Sequence, residues 1–444
     1  MAIKYRRSLV TLSRLLYLAG LVLVFYFGWQ SAYSQATFFD AGNYVVLLSY
    51  SLMLLLFMNV YGGLRVGSLR ITNLLLSCTF ALLFTDFLIY LELCLIARVM
   101  LDALPIVLIL GAQLLLAVLG CFLLNTVYFA LNSAHQVVAV YDLASSDATV
   151  VDKMEKIHAR FHIAKRVDAS LPLAELMQSV DPYDSVLLCA MDADKRQALF
   201  HYCYRTGKRI NVLPCVMDLA LSASHQTQLY DTPVLLCKNR ELTPEQRLSK
   251  RCIDIALSLF LIVLTGPIML ITALLVKLED RGPVFYRQER LTLGSKRFSI
   301  IKFRSMRVGA DDGRADEALR AVTDDERITR IGALLRPYRL DELPQLFNVL
   351  AGDMSIVGPR PERVEHYALY TEELPDFSLR LRAKAGLTGY AQIYGRYNTS
   401  PRDKLSMDLC YIEDFSILQD FRLMFMTLKV LFIKESSEAF EDKK

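Results

Sequence analysis

The sequence predicts a membrane protein of α plus α/β class. It reads as four transmembrane helices, a Rossmann-like α/β module, and a mainly α-helical domain held at one membrane face by a Pro-broken re-entrant helix. Three observations carry this prediction. Hydrophobic residues make up 54% of the 444, above the roughly 45–50% of soluble chains, and the excess sits in the first 131 residues and again at 253–276. Between about 135 and 240, short β-rich runs alternate with amphipathic stretches. Beyond 283 the chain turns polar and rich in short motifs. The formal charge of +4 is mild, and no basic segment is interleaved with aromatics, so nothing points to nucleic acid.

Four apolar runs, about 9–29, 43–61, 74–97 and 105–131, are each long enough to cross roughly 30 Å of hydrocarbon as helices. The first is too long for a signal peptide, and no small-residue cleavage site follows Trp29. Lys4, Arg6, Arg7 and Arg14 precede or begin it, and Arg65 and Arg70 lie between the second and third runs. The opposite loops hold only Arg98. The positive-inside rule therefore places the N-terminus, and everything after residue 131, in the cytoplasm. Asp86 and Glu92 fall inside the third run, where ionisable groups are costly. Packing or register roles are expected for both, with Glu92 reaching the interface.

In the module, 135–142, 185–191, 209–214 and 233–238 read as strands, and 150–161, 173–180 and 195–206 as helices. Apolar strands separated by helices predict a parallel sheet covered on both faces. The dinucleotide fingerprint is missing: Val140 is followed by Tyr-Asp-Leu-Ala-Ser-Ser, without the glycines that let backbone approach a pyrophosphate. A scaffold, regulatory or dimerisation role is expected instead. His158 and His162 have helical spacing, but no glutamate of a zinc-protease motif lies between them. Nine cysteines form no CxxC pair and read as reduced, structural thiols.

The run 253–276 has Lys250 and Arg251 before it and Lys277 and Arg281 after it, so both flanks carry the cytoplasmic signature. Gly266-Pro267 interrupts its middle, and a proline there removes a helical hydrogen bond. A kinked spanning helix would explain the hydropathy alone. A helix–break–helix that enters and leaves by one face fits both observations. Next, 284–306 alternates like a hairpin turning at Gly294-Ser295, and a charged stretch fills 309–326. A short helix closed by Pro337 leads to the adjacent acids Asp341 and Glu342. A second helix is expected from about Leu340, with Pro344 in its first turn and Gly352 as its C-terminal cap. Both acids would then sit at the positive end of its dipole and stay ionised, with Arg336 and Arg339 within a turn. An ionised pair suits a nucleophile or a magnesium ligand better than a general acid. The bland alternative is a solvated helix cap.

"KFRSM" (302–306), "DELPQLFNVLAGDMSIVGPRP" (341–361) and "GLTGYAQIYGR" (386–396) together resemble the bacterial polyprenyl-phosphate glycosyl-1-phosphate transferases, the bacterial sugar transferase family. The resemblance covers about 247–434, and the four spans with a glycine-poor module look like its long form. It implies domains at 1–134 (membrane), 135–240 (α/β module) and 247–434 (catalytic), followed by a polar tail, 435–444. It further implies transfer of a sugar 1-phosphate from a UDP-sugar to undecaprenyl phosphate, releasing UMP, on the cytoplasmic face of a bacterial inner membrane. This would be the first membrane step of exopolysaccharide, capsule or O-antigen-type assembly, and a homodimer is expected. Asp341 would be the nucleophile forming a phosphosugar-aspartate. Glu342 would be its partner, and both would hold Mg2+.

Phosphoryl transfer needs charge neutralisation and alignment more than a base, which explains an acidic pair without a catalytic histidine. Lys302, Arg304, Arg336 and Arg360 are the expected phosphate contacts, since guanidinium forks match phosphate oxygens in pairs. Gly358, Pro359 and Pro361 would fix the turn that aims Arg360, and Pro267 would break the membrane helix. Gln392 and Arg396 are further ligand-facing candidates, and Asp408 matches an acidic position that recurs in the family; a surface arginine and a helix cap are the bland alternatives for Arg396 and Asp408. Ala385 stands where the family carries a proline, which loosens that loop but removes no reactive group. An inactive membrane scaffold or sensor would predict loss of an acid or a phosphate arginine, and none is missing. A transporter would require broken or charged segments in several spans.

Overall fold

The computed structural model describes residues 2–33, 42–132, 134–143, 148–155, 161–237, 241–309, 327–395 and 399–432. It forms two compact units, Met1–Leu213 and Pro214–Lys444. In the first, α1 (Ala2–Ala32), α2 (Gly42–Tyr61), α3 (Ile71–Ala97) and α4 (Leu104–Leu131) are long and apolar enough to cross a membrane. Small residues let α1 and α4 pack closely: a Cβ at Gly28 would lie 2.5 Å from Ile109, and one at Gly120 would lie 2.5 Å from the Tyr17 ring. Polar groups also bridge these helices. Gln113 donates to the Tyr50 hydroxyl at 2.6 Å, and Ser49 donates to Glu92 at 2.7 Å. Glu92 thus joins α3 to α2, a packing role, and Asp86 is buried in α3.

The same unit continues with β1 (His135–Tyr141), α5 (Ala148–Glu155), β2 (Phe161–Asp168), α6 (Leu173–Val180), β3 (Ser185–Leu188), α7 (Ala193–Arg205) and β4 (Arg209–Val212). The strands form one parallel sheet in the order β2-β1-β3-β4. Val137, Val138, Ala139 and Val140 are all fully buried, so β1 is covered on both faces and its sequence is a continuous apolar run. Two expectations are corrected here. Residues 161–168, left unassigned beyond the expected helix, supply the edge strand β2, where half-exposed polar residues mask the strand signal. His162 accordingly lies in a strand, not on a helix face; His158 lies outside the described residues. The run 233–238 does not join the sheet. It contributes β6 (Thr232–Leu236), which pairs antiparallel with β5 (His225–Leu229) in the second unit, after α8 (Val216–Ser222).

The second unit proceeds through α9 (Pro244–Asp280), β7 (Phe285–Thr292), β8 (Lys296–Phe303), α10 (Arg330–Leu335), α11 (Gln345–Ala351), β9 (Ser355–Val357) and α12 (Val364–Glu373). It ends with β10 (Gly386–Thr388), α13 (Tyr390–Tyr394), α14 (Pro401–Glu413) and α15 (Ile417–Val430). Its core gathers Phe298, Ile300, Leu346, Ile356, Phe377 and Leu409, with Leu219 of α8 added. The β7–β8 hairpin turns at Gly294 and Ser295, both at positive φ, as expected from the sequence.

The run 253–276, expected to be re-entrant, differs from expectation in its local form. Helix α9 runs unbroken through Gly266-Pro267, so two half-helices separated by a non-helical break are not present. It begins in a capping box between Thr243 and Gln246, with Pro244 in the first turn. One face is held along its length by the second unit. Arg251 donates to the carbonyls of Val349 and Leu350 at 2.7 and 2.8 Å, and Asp254 accepts from Ser355 and the Ile356 amide. Further on, Met269 and Val276 pack with Phe303 and Leu335, and Asp280 pairs with Arg304. The opposite face leaves Leu259, Phe260, Val263, Leu270 and Leu274 exposed.

Candidate active site

Asp341 and Glu342 occupy a short 3-10 turn, Leu340–Glu342, immediately before α11. The expected helix therefore starts later than Leu340. Pro344 is its N-cap, Gly352 at φ 97° its C-cap, and the acids precede its first turn. Arg339 enters the turn in the left-handed region at φ 53°, a conformation costing a non-glycine residue roughly 1–3 kcal/mol. That kink turns the chain from Arg336 into the acid pair.

Glu342 Oε1 accepts from Lys302 on β8 at 2.9 Å and from Arg360 at 3.2 Å. Burial alone would raise its pKa, but Lys302, Arg360 and Arg339 together hold it far below the usual carboxylate range. Asp341 moves the other way. Burial first, and then the neighbouring Glu342 charge, raise its pKa against the pull of Lys302 and Arg336. Two adjacent acids thus become chemically different: a fixed anion at Glu342 and a more basic carboxylate at Asp341. Neighbouring carboxylates that are pushed apart in this way mark distinct chemical roles.

Arg360 is carried by the Gly358–Pro361 turn, which is sewn to the loop of β10. The Gly358 amide donates to Thr388 at 2.8 Å, and the Gly386 amide donates to Pro359 at 2.9 Å. A Cβ on Gly358 would lie 2.2 Å from the Lys384 carbonyl, so only glycine allows the approach. From beneath, Arg380 donates to the Arg360 carbonyl at 2.8 Å, and Arg290 of β7 donates to the Pro361 carbonyl at 3.2 Å. The Arg360 side chain, 46% exposed, remains open to a ligand.

The structure brings Asp341, Glu342, Lys302, Arg336 and Arg360 together, with Gly358, Pro359 and Pro361 in the supporting turn. Three expected ligand contacts are engaged elsewhere. Arg304 is buried against Asp280 at the end of α9 and anchors that helix. Gln392 is buried and donates to the Gly386 carbonyl, bracing the loop. Asp408 is 1% exposed and accepts from Arg380 Nε and Nη2 at 3.0 and 2.6 Å, so it acts through Arg380 on the turn. Burial pushes the Asp408 carboxyl up to about 6 despite the Arg380 charge. Arg396 lies outside the described residues, and Pro267 lies within α9. Arg339, expected within a turn of the acids, is beside Glu342, whereas Arg290, Glu362 and Arg380 are not marked by the sequence motifs. Only the arginines of "SLRLRAK" ahead of "GLTG" offered a signal for Arg380.

The two carboxylates fit a magnesium ion as hard oxygen donors, because such ions commonly take one or two protein carboxylates plus phosphate and water. Among the described residues, no group of three or more His, Cys, Asp or Glu gathers as a metal cage.

Residues 245–434 match the family model described as bacterial sugar transferase. The chain is 35% identical over 260 residues to the UDP-glucose:undecaprenyl-phosphate glucose-1-phosphate transferase of Escherichia coli K12, covering 57% of this chain and 55% of that protein. It is 38% identical over 195 residues to the protein of that name from Caulobacter vibrioides, covering 43% of this chain and 72% of the relative. It is 41% identical over 187 residues to the exopolysaccharide production protein PSS of Rhizobium leguminosarum, covering 40% and 92%. The chain spans about half the length of several of these curated relatives. The acid pair and the arginine turn both lie within 245–434, and the chain belongs to the bacterial sugar transferase family.

Proposed function

We propose that the protein transfers a sugar 1-phosphate from a UDP-sugar to undecaprenyl phosphate, giving undecaprenyl-diphosphate-sugar and UMP at the start of polysaccharide assembly. The observation that carries this reading is the adjacent acid pair, with Lys302 and Arg360 on Glu342 at 2.9 and 3.2 Å, inside the stretch matched by the family model. Asp341, the more basic carboxylate, attacks the phosphorus bearing the sugar. A P–O bond to Asp341 forms as the P–O bond bridging to the nucleotide phosphate breaks, and UMP departs with that electron pair. The phosphate oxygen of the lipid then attacks the same phosphorus, and Asp341 leaves as a carboxylate. Neither step requires a general base, because both nucleophiles are already ionised.

Lys302 and Arg360 align Glu342 and counter the growing charge, and Arg336 does so beside Asp341. Asp341 and Glu342 would hold Mg2+, which when bound neutralises charge on the diphosphate. The face of α9 exposing Leu259, Phe260, Val263 and Leu270 suits contact with lipid while the other face stays on the second unit. Basic flanks on both ends and this one-sided packing support a helix lying along the cytoplasmic face of a bacterial inner membrane, its apolar side in the lipid, without crossing it. The α/β module is then a cytoplasmic scaffold, in keeping with a homodimer. A panel of UDP-sugars offered with undecaprenyl phosphate tests this function: one sugar should yield stoichiometric UMP and lipid-linked product. Lack of UMP from every UDP-sugar would reject it.

A further inference from the structure

A cavity of about 690 Å³ lies in the second unit beside the N-terminal half of α9. It shares no lining residue with the small cavity formed by Lys302, Glu342 and Arg360. Its volume falls within the ~300–1,000 Å³ of small-molecule sites. Five cations line it: Arg247, Lys250 and Arg251 from α9, and Arg382 and Lys384 from the segment entering β10. Three of these are engaged. Arg247 pairs with Glu241 and Lys250 with Asp420, both at 2.6 Å, and Arg251 binds the two carbonyls at the end of α11.

The other two are not fully engaged. Arg382 binds Glu413 through Nη1 at 2.7 Å, yet its Nε and Nη2 are buried with no hydrogen-bond partner among the described residues. Lys384 has no ion-pair partner among the described residues, and it is half-buried near Arg251. Burial and that arginine push its ammonium below the ordinary lysine range. Buried donors without acceptors are costly, and Asp254 and Asp353 offset only part of the effect of burial and Arg251 on Lys384. Ile412 and Phe415 supply apolar wall on the same cavity.

We propose that this cavity binds a phosphate-bearing ligand, with Arg382 and Lys384 as its anion contacts. The favoured source is the headgroup of an anionic phospholipid, a choice that rests on the reading of α9 as lipid-facing. Asp254 lines the cavity, and the next residue, Ile255, is one of the exposed apolar residues of α9. Occupancy would steady the segment that aims the arginine turn. Lys384 is followed by Ala385, whose amide donates to Thr292 at 3.0 Å, and by Gly386, which holds Pro359.

Acylation of lysine side chains in the full-length protein, read by peptide mass, tests the proposal without any nucleotide sugar. The exposed Lys296 serves as the internal control. Relative to phosphatidylcholine bilayers, bilayers containing phosphatidylglycerol should slow Lys384 modification about tenfold, as expected for one or two charge-assisted contacts. Arg382→Gln should remove that protection. Protection by glycerol phosphate in phosphatidylcholine alone would assign the same site to a soluble phosphate ester. It would also count against lipid contact along α9 while leaving the transferase chemistry intact. Equal modification of Lys384 under all three conditions would overturn the proposal, and the wild-type arms decide this even if the variant fails to fold.

Discussion

Replacing Arg380 with methionine tests whether the arginine turn is held from beneath by one buried ion network. Arg380 is 2% exposed and lies 4.7 Å above the Phe377 ring. It binds Asp408, the Arg360 carbonyl and Glu362 together. Methionine keeps the apolar stem but leaves Asp408 and Glu362 without that cation. Removing one partner of a buried ion pair costs about 3–5 kcal/mol. For a unit of this size that corresponds to roughly 6–20 °C in Tm, at about 2–4 °C per kcal/mol.

The pH dependence has a definite sign. The Asp408 pKa is raised to about 6 in the folded state. Its contribution therefore favours folding at low pH and is lost as pH rises through that value. Without Arg380 its pKa climbs further, so the deficit of the variant should be larger near ~pH 8 than near ~pH 5. Scanning fluorimetry of the full chain in detergent measures both effects, and Arg380→Met with Asp408→Leu should recover part of the loss. A Tm shift below about 2 °C, or one equal at both pH values, would refute the network.

Asp341→Asn should abolish turnover with an unchanged Tm, because the amide keeps the shape but is a very poor nucleophile. Glu342→Gln should lower kcat severely, and UMP formation measures both. Lys302→Met removes a cation that lowers the pKa of Asp341, so the acidic limb of the rate profile should move to higher pH. In a cysteine-free background, Val308→Cys at an exposed site should resist an impermeant thiol reagent in intact cells and react after permeabilisation. Labelling in intact cells would place the second unit beyond the membrane and make α9 a true span.

The sequence made the long features legible because each rests on one strong signal. Four apolar runs gave α1–α4, and Gly294-Ser295 marked the β7–β8 hairpin. The acid pair and its cations were legible as a motif set. Three features were not. Edge strand β2 alternates too weakly, since its outer face is solvated. The run 233–238 looks like a buried strand but forms a hairpin with 225–229, a pairing no local pattern specifies. The functions of Arg304 and Asp408 depend on partners 24 and 28 residues away, Asp280 and Arg380, and that of Gln392 on the backbone carbonyl of Gly386. Residue type announced their polarity and not the direction they face. Pro267 was read as a break, yet α9 continues through it, as packing against the second unit can permit.

The central claim is that Asp341 carries the phosphosugar, and a rapid-quench experiment without lipid acceptor tests it most directly. Mixing the full-length enzyme with its UDP-sugar should release UMP in an amount near one per active site, with the sugar-phosphate mass appearing on the peptide containing Asp341. Asp341→Asn should give neither signal. UMP that forms only when undecaprenyl phosphate is present, even in a single turnover, with no mass added to that peptide, would contradict the account.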